Sequence, residues 1–369
     1  MQVAAIDQQN SASAGKGVLV PIQWLRAVAA LMVVVHHALY YINAAHGLGP
    51  EADRRLFGFS GWVFGIHIFF LISGFIMINS ASGFGEPGAG LRFFKRRLIR
   101  IVPLYWLVTT AAVAVALAMP SSLPISGDKL TYILGSYLFI PVLRTEGDLR
   151  PILGQGWTLD YEMFFYVLFA LSMFLPRRNA VLALSVVFPV LAFLGRDLTV
   201  ASPILFTWTD GLVLEFLFGV YVGFVYRAGW RLPNWAAYTA IGAGAVLVAL
   251  DFHGPTALIA GVPATLVVGG FALGPQPRAS AADGWLAHIG DASYSLYLTH
   301  TFVLRPAWRL WTIVGGVDWP PVLFVLFSIL TSVSVSIAVY RFIERPLTRY
   351  FQGRWLGPRT SIRSYTQAS

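Results

Sequence analysis

Cysteine is absent from this 369-residue chain. That excludes disulfides, thiolate metal sites, iron–sulfur clusters and an acyl-cysteine intermediate. Charge is scarce as well: Asp, Glu, Lys and Arg supply 12% of the residues, where a soluble domain carries roughly 25%. Several enzyme signatures are missing. There is no Gly-x-Ser-x-Gly nucleophile elbow, no His-Glu-x-x-His zinc motif and no phosphate-binding glycine loop ending in Lys-Ser/Thr. No His is followed five positions later by Asp, the pattern of soluble glycerolipid acyltransferases. Gly83–Gly90 is glycine-rich but lacks the trailing Lys, and reads as a loop. Nothing before Val18 resembles a signal peptide. Residues 1–17 are polar and small, with Lys16 their only basic residue, and are expected to form a disordered cytoplasmic tail.

What remains is apolar. Hydrophobic residues make up 57% of the chain, aromatic residues 15%, and the mean hydropathy is +0.67. The class is therefore an all-α, polytopic membrane helical bundle, with Trp and Tyr suited to its interfaces. The net charge of +9 fits cytoplasmic loops of such a protein better than nucleic-acid binding, which is not expected.

Apolar runs able to cross a hydrocarbon core of roughly 30 Å predict ten spans: Ile22–Tyr41, Trp62–Ile78, Ile101–Met119, Leu153–Leu175, Ala180–Leu194, Leu205–Tyr226, Trp235–Leu250, Thr256–Leu273, Leu286–Leu304 and Pro321–Arg341. Leu130–Val142 is too short to span and suits a re-entrant or interfacial piece. With both termini cytoplasmic, 17 of the 26 Lys and Arg fall on inner segments, eight on outer loops, and Arg26 lies within the first span. Counting Leu130–Val142 as a span would send the later basic clusters outside, against the positive-inside rule. The membrane domain is expected over 18–350, with a basic cytoplasmic tail at 351–369.

An ionisable side chain inside a span costs about 2.5–3.5 kcal/mol on insertion scales, so each is a functional candidate. Arg26 and His37 are eleven residues apart, about three full turns, and share a helix face, whereas His36 is turned away. By depth, His37, His67, Glu162 and His300 are expected in one layer of the outer half of the bilayer. Arg26, Arg97 and Arg100 lie near the inner face, with Arg97 and Arg100 on one side of the third span. Such a set suits an anion with several phosphates, since the guanidinium binds phosphate through a planar fork. Lys95 and Arg96 read as a plain positive-inside anchor. No metal site is expected.

Six stretches then show a resemblance. Trp24-Leu25-Arg26 continuing to His36-His37, Gly65-Ile66-His67 continuing to Ser73-Gly74-Phe75, and Arg97-Leu98-Ile99-Arg100 continuing to Tyr105-Trp106 are three of them. Gly156-Trp157-Thr158 continuing to Glu162 and Tyr166, Gly290-Asp291 continuing to Thr299-His300, and Glu344-Arg345-Pro346-Leu347 complete the set. In this order they resemble the acyltransferase-3 group of membrane proteins, closest to its exopolysaccharide-production branch. The resemblance implies about ten membrane helices in the cell (inner) membrane, and transfer of an acyl group, commonly acetyl, from cytoplasmic acyl-CoA to a sugar hydroxyl. It places the family's Arg and His on Arg26 and His37, its paired arginines on Arg97 and Arg100, and its membrane Glu on Glu162. His67 departs from the family, which often carries Asp there, and inherits no role.

The expected partners are therefore acyl-CoA as co-substrate, with no permanently bound cofactor, a polysaccharide or lipid-linked oligosaccharide acceptor, and the bilayer. His37 is expected to abstract the acceptor proton, Glu162 to orient or charge-stabilise that imidazole, and Arg26, Arg97 and Arg100 to hold the CoA phosphates. His67, Tyr161, Asp291, Tyr294 and His300 are candidates for substrate contacts. Glu215 reads as a helix contact. A proton-coupled transporter or flippase is the rival, since buried His, Glu and Arg also mark transport paths, but no inverted repeat supports it.

Overall fold

The computed structural model describes residues 19–47, 59, 61–119, 127–200, 202–250, 254–276 and 283–356. Helices hold most of these residues, and the bridge from Thr145 to Asp148 is the one β pairing that joins two described residues. The expected tail at 1–17 and most of the one at 351–369 lie outside the described residues.

Among the described residues fourteen α-helices follow one another: α1 Val20–Ala45, α2 Gly65–Ser80, α3 Ala89–Ala118, α4 Lys129–Leu138, α5 Trp157–Ser172, α6 Arg177–Gly195, α7 Pro203–Trp208, α8 Val213–Arg227, α9 Asn234–Ala249, α10 Val262–Leu273, α11 Asp283–Asp291, α12 Ser293–Ile313, α13 Pro321–Val339 and α14 Arg345–Leu356. Among the described residues, six helical segments are long and apolar enough to cross a membrane: Val20–Ala45, Gly61–Ser80, Ala89–Ala118, Arg177–Gly195, Pro203–Arg227 and Pro321–Leu356. Asn234–Ala249 and Ala257–Leu273 are shorter apolar helices. Helix α4 has ten residues, about 15 Å at 1.5 Å per residue, and cannot cross. Helix α14 runs through the expected boundary at 350.

Local chemistry explains several of these bounds. Pro21 stands in the first turn of α1, where its missing N–H costs nothing. Asp128 caps α4 by accepting from the Thr131 N–H at 2.7 Å. The loop after α4 is held by Asp148, which takes Arg144 at 2.6 Å and Arg150 at 2.9 Å. Burial pushes the Asp148 carboxyl up, but the Arg150 hydrogen bonds outweigh it and hold it below the usual carboxylate range.

The bundle centres on α1 and α2. Helix α2 packs closest against α8, at a seam made of glycine. A Cβ on Gly74 would stand 2.0 Å from the Phe216 carbonyl oxygen, and one on Gly219 2.0 Å from that of Leu71. Small residues allow membrane helices to approach backbone to backbone. Gly219→Val should therefore force the seam apart. We expect a loss of at least 1–3 kcal/mol, the usual range for overpacking, read as a lower thermal midpoint of the detergent-solubilised protein.

Candidate active site

Five helices build a cavity of about 110 Å³ around three arginines: Arg26 of α1, Ser73 and Met77 of α2, Arg97 and Arg100 of α3, Glu162 and Tyr166 of α5, and Ser293, Tyr294 and Tyr297 of α12. Arg26 is 7% exposed. Its guanidinium donates to Gln23 Oε1 and to Ser293 Oγ, each at 2.9 Å, and Gln23 in turn donates to Asp291 Oδ1 at 2.9 Å. Arg97 reaches Ser80 Oγ and lies over the Phe93 ring, while its Nε is buried without a hydrogen-bond partner among the described residues. The Glu162 carboxylate accepts from Ser73 Oγ at 2.9 Å and from the Tyr166 hydroxyl. Glu344 accepts from Ser295 Oγ at 2.6 Å and stands within electrostatic range of Arg100 and Arg26. Buried cations need such compensation. The space is smaller than the 300–1,000 Å³ of typical ligand pockets. It can take part of a long substrate, not the whole of one.

Farther along α1, two imidazoles meet. The His37 and His300 ring centroids are 4.8 Å apart in an edge-to-face arrangement, and His36 lies edge-on to His37 at 5.4 Å. His37 Nδ1 is 2.9 Å from the Val33 carbonyl oxygen. A carbonyl only accepts, so Nδ1 carries the proton and Nε2 is the basic nitrogen of the neutral ring. His300 is fully buried and fixed likewise, with Nδ1 2.8 Å from the Tyr297 carbonyl oxygen. Its Nε2 is buried with no hydrogen-bond partner among the described residues.

A polar partition separates the histidines from the arginine cavity. The Tyr297 hydroxyl donates to the Gln155 carbonyl at 2.7 Å and is 2.7 Å from Thr158 Oγ1. Gln155 Nε2 donates to the Leu298 carbonyl at 2.7 Å. Tyr297 thus ends the cavity one helical turn before His300. Along α1 the eleven residues from Arg26 to His37 rise about 16 Å.

The sequence of this architecture matches known proteins. The model of the acyltransferase-3 family, described as an acyltransferase domain, matches residues 20–341. The chain belongs to the acyltransferase-3 family. It is 34% identical over 305 residues to the exopolysaccharide production protein ExoZ of Rhizobium meliloti (strain 1021), covering 79% of this chain and 90% of the relative. It is 25% identical over 276 residues to the acyltransferase MdmB of Streptomyces mycarofaciens, covering 68% and 70%. No solved structure matches. An acyltransferase that moves groups other than aminoacyl groups is therefore established, as is the likeness to the exopolysaccharide-production branch.

Within this acyltransferase-3 chain, the residues expected in one outer layer occupy three places. His37 and His300 meet. Glu162 stands in the arginine cavity with Ser73 and Tyr166, and is not the carboxylate that holds His37 Nδ1. The reason is visible at the start of α5. Counting depth from Trp157 takes that residue as the outer end of the helix, whereas Leu153, Gln155 and Gly156 before it are already buried in the bundle. His67 is bound to Glu215 of α8, with Nδ1 2.8 and 3.0 Å from the two carboxylate oxygens. Glu215 is fully buried and His67 nearly so. His67→Leu would leave that carboxylate uncompensated and should cost about 3 kcal/mol, measured as a lower unfolding midpoint. His67→Leu combined with Glu215→Leu should recover most of the loss.

Tyr294 lines the arginine cavity and donates to the Ile101 carbonyl at 2.8 Å. Asp291 supports Arg26 through Gln23. Tyr161 faces a different cavity. Sequence reasoning missed Gln23, Ser293 and Glu344. Gln23 carried a signal, a polar residue one turn before Arg26 on an apolar helix. Glu344 opens the last of the six resembling stretches, but its place beside the arginines had no sequence signal: a π turn, Tyr340–Glu344, brings it inward.

Proposed function

We propose that the protein moves an acyl group, acetyl in the first instance, from cytoplasmic acyl-CoA to a hydroxyl of an exopolysaccharide or other envelope sugar, within the cell (inner) membrane. One observation carries this reading. A cavity lined by three arginines and a pair of histidines lie on opposite sides of the Tyr297 partition and share helix α1. Phosphate chemistry belongs to the first and proton transfer to the second.

Arg97 and Arg100 hold the CoA phosphates at the cavity mouth, with Arg26 behind them. Among the described residues Arg100 makes no hydrogen bond, so its donors are available. Glu162 acts as a counter-charge that offsets the mutual repulsion of the guanidinium groups. The pantetheine arm runs toward His37, and Tyr297 turns aside to admit the thioester. His37 Nε2 takes the proton of the acceptor hydroxyl, the sugar oxygen bonds to the thioester carbonyl carbon, the C–S bond breaks, and CoA leaves with the proton returned by the imidazolium. Ten spans with both termini cytoplasmic put the arginines on the side where acyl-CoA is found. The six long apolar segments and the basic-residue bias support this topology.

Purified protein in nanodiscs, given radiolabelled acetyl-CoA and chemically de-O-acylated host exopolysaccharide, should label the polysaccharide. Mass spectrometry of polysaccharide from cells lacking the chain should show the corresponding acyl group missing. An unchanged acyl pattern together with no label transfer would refute the reading.

A further inference from the structure

Beside the first turns of α5, whose Thr158, Leu159 and Glu162 line the arginine cavity, lies a second cavity, of about 390 Å³. Its walls come from the loop after α4, the first turn of α5, and α7 with the residue Val200 that precedes it. Trp157, Tyr161 and Phe206 give it aromatic surfaces, and Asp148, Arg150, Asp160 and Thr207 give it polar ones. Asp160 is the unusual member. The residue is 3% exposed, yet its Oδ1 has no hydrogen-bond partner among the described residues. A buried, unpartnered carboxyl oxygen lowers stability, so a donor from outside the fold is needed to satisfy it.

We propose that this cavity is a binding subsite for a pyranose unit of the acceptor glycan, separate from the unit that is acylated. The chemistry of the lining selects the class. Sugar hydroxyls both donate and accept, and the wall offers the carboxyl of Asp160, the lone pairs and N–H groups that the Asp148–Arg150 ion pair leaves over, and a Thr207 hydroxyl that does both. Sugar C–H faces are apolar and pack against aromatic side chains. A cation would gain from the carboxyls but would meet Arg150; a simple anion would gain from Arg150 but would meet two carboxyls. The volume lies within the range of small-molecule sites. The rim points the right way for a polymer, since Arg150 stands within electrostatic range of the Tyr40 hydroxyl, three residues beyond His37 on α1. A glycan held here by one unit can therefore present another to the histidines. Tyr161, a substrate-contact candidate from sequence, is thereby assigned to this subsite.

This inference rests on the acyltransferase reading only for the identity of the chain that binds, and its test separates the two. Binding of de-O-acylated oligosaccharide, cleaved from the host's own exopolysaccharide, is measured on the full chain in nanodiscs by saturation-transfer NMR and titration calorimetry. Wild type is expected to bind, Asp160→Leu to weaken binding tenfold or more, and Thr207→Val to weaken it severalfold. Asp160→Leu should fold, because a buried carboxyl without a partner is replaced by an apolar group of similar size. In the acylation assay Asp160→Leu should raise KM for the oligosaccharide tenfold, leave kcat within twofold, and leave KM for a monosaccharide acceptor unchanged. Equal oligosaccharide binding by folded wild type, Asp160→Leu and Thr207→Val overturns the subsite. Binding of tetramethylammonium with no oligosaccharide binding overturns it too, and makes the occupant a cation. Asp160-dependent oligosaccharide binding without any acyl transfer from acyl-CoA sinks the proposed donor-to-sugar reaction and leaves the subsite standing.

Discussion

His37→Ala should lower kcat for acyl transfer by about 10²–10⁴-fold, the contribution of a positioned general base, while leaving KM for acyl-CoA nearly unchanged. The expectation rests on placement. His37 Nδ1 is held by the Val33 carbonyl, so Nε2 is the basic nitrogen of the neutral ring. The arginines that would bind the donor lie about 16 Å away along the same helix. The ring is only partly buried, and its removal opens no sealed core. His300→Ala makes a useful contrast. That ring is fully buried against His37, so its loss should affect folding and positioning, with a smaller effect on kcat. The base must be neutral to act, and wild-type activity should therefore fall as pH drops, while the residual activity of His37→Ala should lack that acidic limb. Radiolabel transfer to the acceptor across a pH series measures both. A His37→Ala protein that transfers label at the wild-type rate would remove His37 from the chemistry.

How much of this site was legible beforehand follows from what helices do to a sequence. The spacing between Arg26 and His37 is a property of one regular helix, and α1 is continuous from Val20 to Ala45. Their shared face could be counted. Arg97 and Arg100 share a helix too, and both line the cavity as a three-residue spacing requires. Glu162 defeated the same method, because depth was counted from Trp157 as though that residue lay at the surface. The Gly154–Gly156 turn is instead sunk in the bundle, and nothing in its composition says so. His67 and Glu215 are 148 residues apart, and their bond depends on the glycine seam between α2 and α8, a tertiary fact. Asp160 was passed over for a related reason. On an isolated helix it is one polar residue beside Glu162, and only the loop after α4 and helix α7, folded over it, make it the wall of a cavity.

The arginine pair allows an equally sharp prediction. Arg97→Ala and Arg100→Ala should each raise KM for acetyl-CoA by about 10–100-fold, since a hydrogen bond to a charged group contributes about 1.5–3 kcal/mol, with kcat much less changed. Lysine should restore part of the affinity at either position, because it keeps the charge and loses the planar fork. Loss of fold alone could also raise KM, so the decisive comparison uses a donor without the phosphates. Acetyl-pantetheine carries the same thioester and arm and has nothing for the arginines to hold. Wild type should favour acetyl-CoA strongly over it in kcat/KM, and the Arg97→Ala, Arg100→Ala double variant should lose nearly all of that preference by becoming worse with acetyl-CoA alone. Arg26→Ala should behave differently. Its guanidinium is already engaged by Gln23 and Ser293, and its loss strips Glu162, Glu344 and Asp291 of a shared counter-charge. It should therefore lower kcat and stability together and affect both donors alike. Were the double variant to weaken acetyl-CoA and acetyl-pantetheine by the same factor, the arginines would be shown to shape the cavity without reading phosphate, and the donor would have to enter elsewhere.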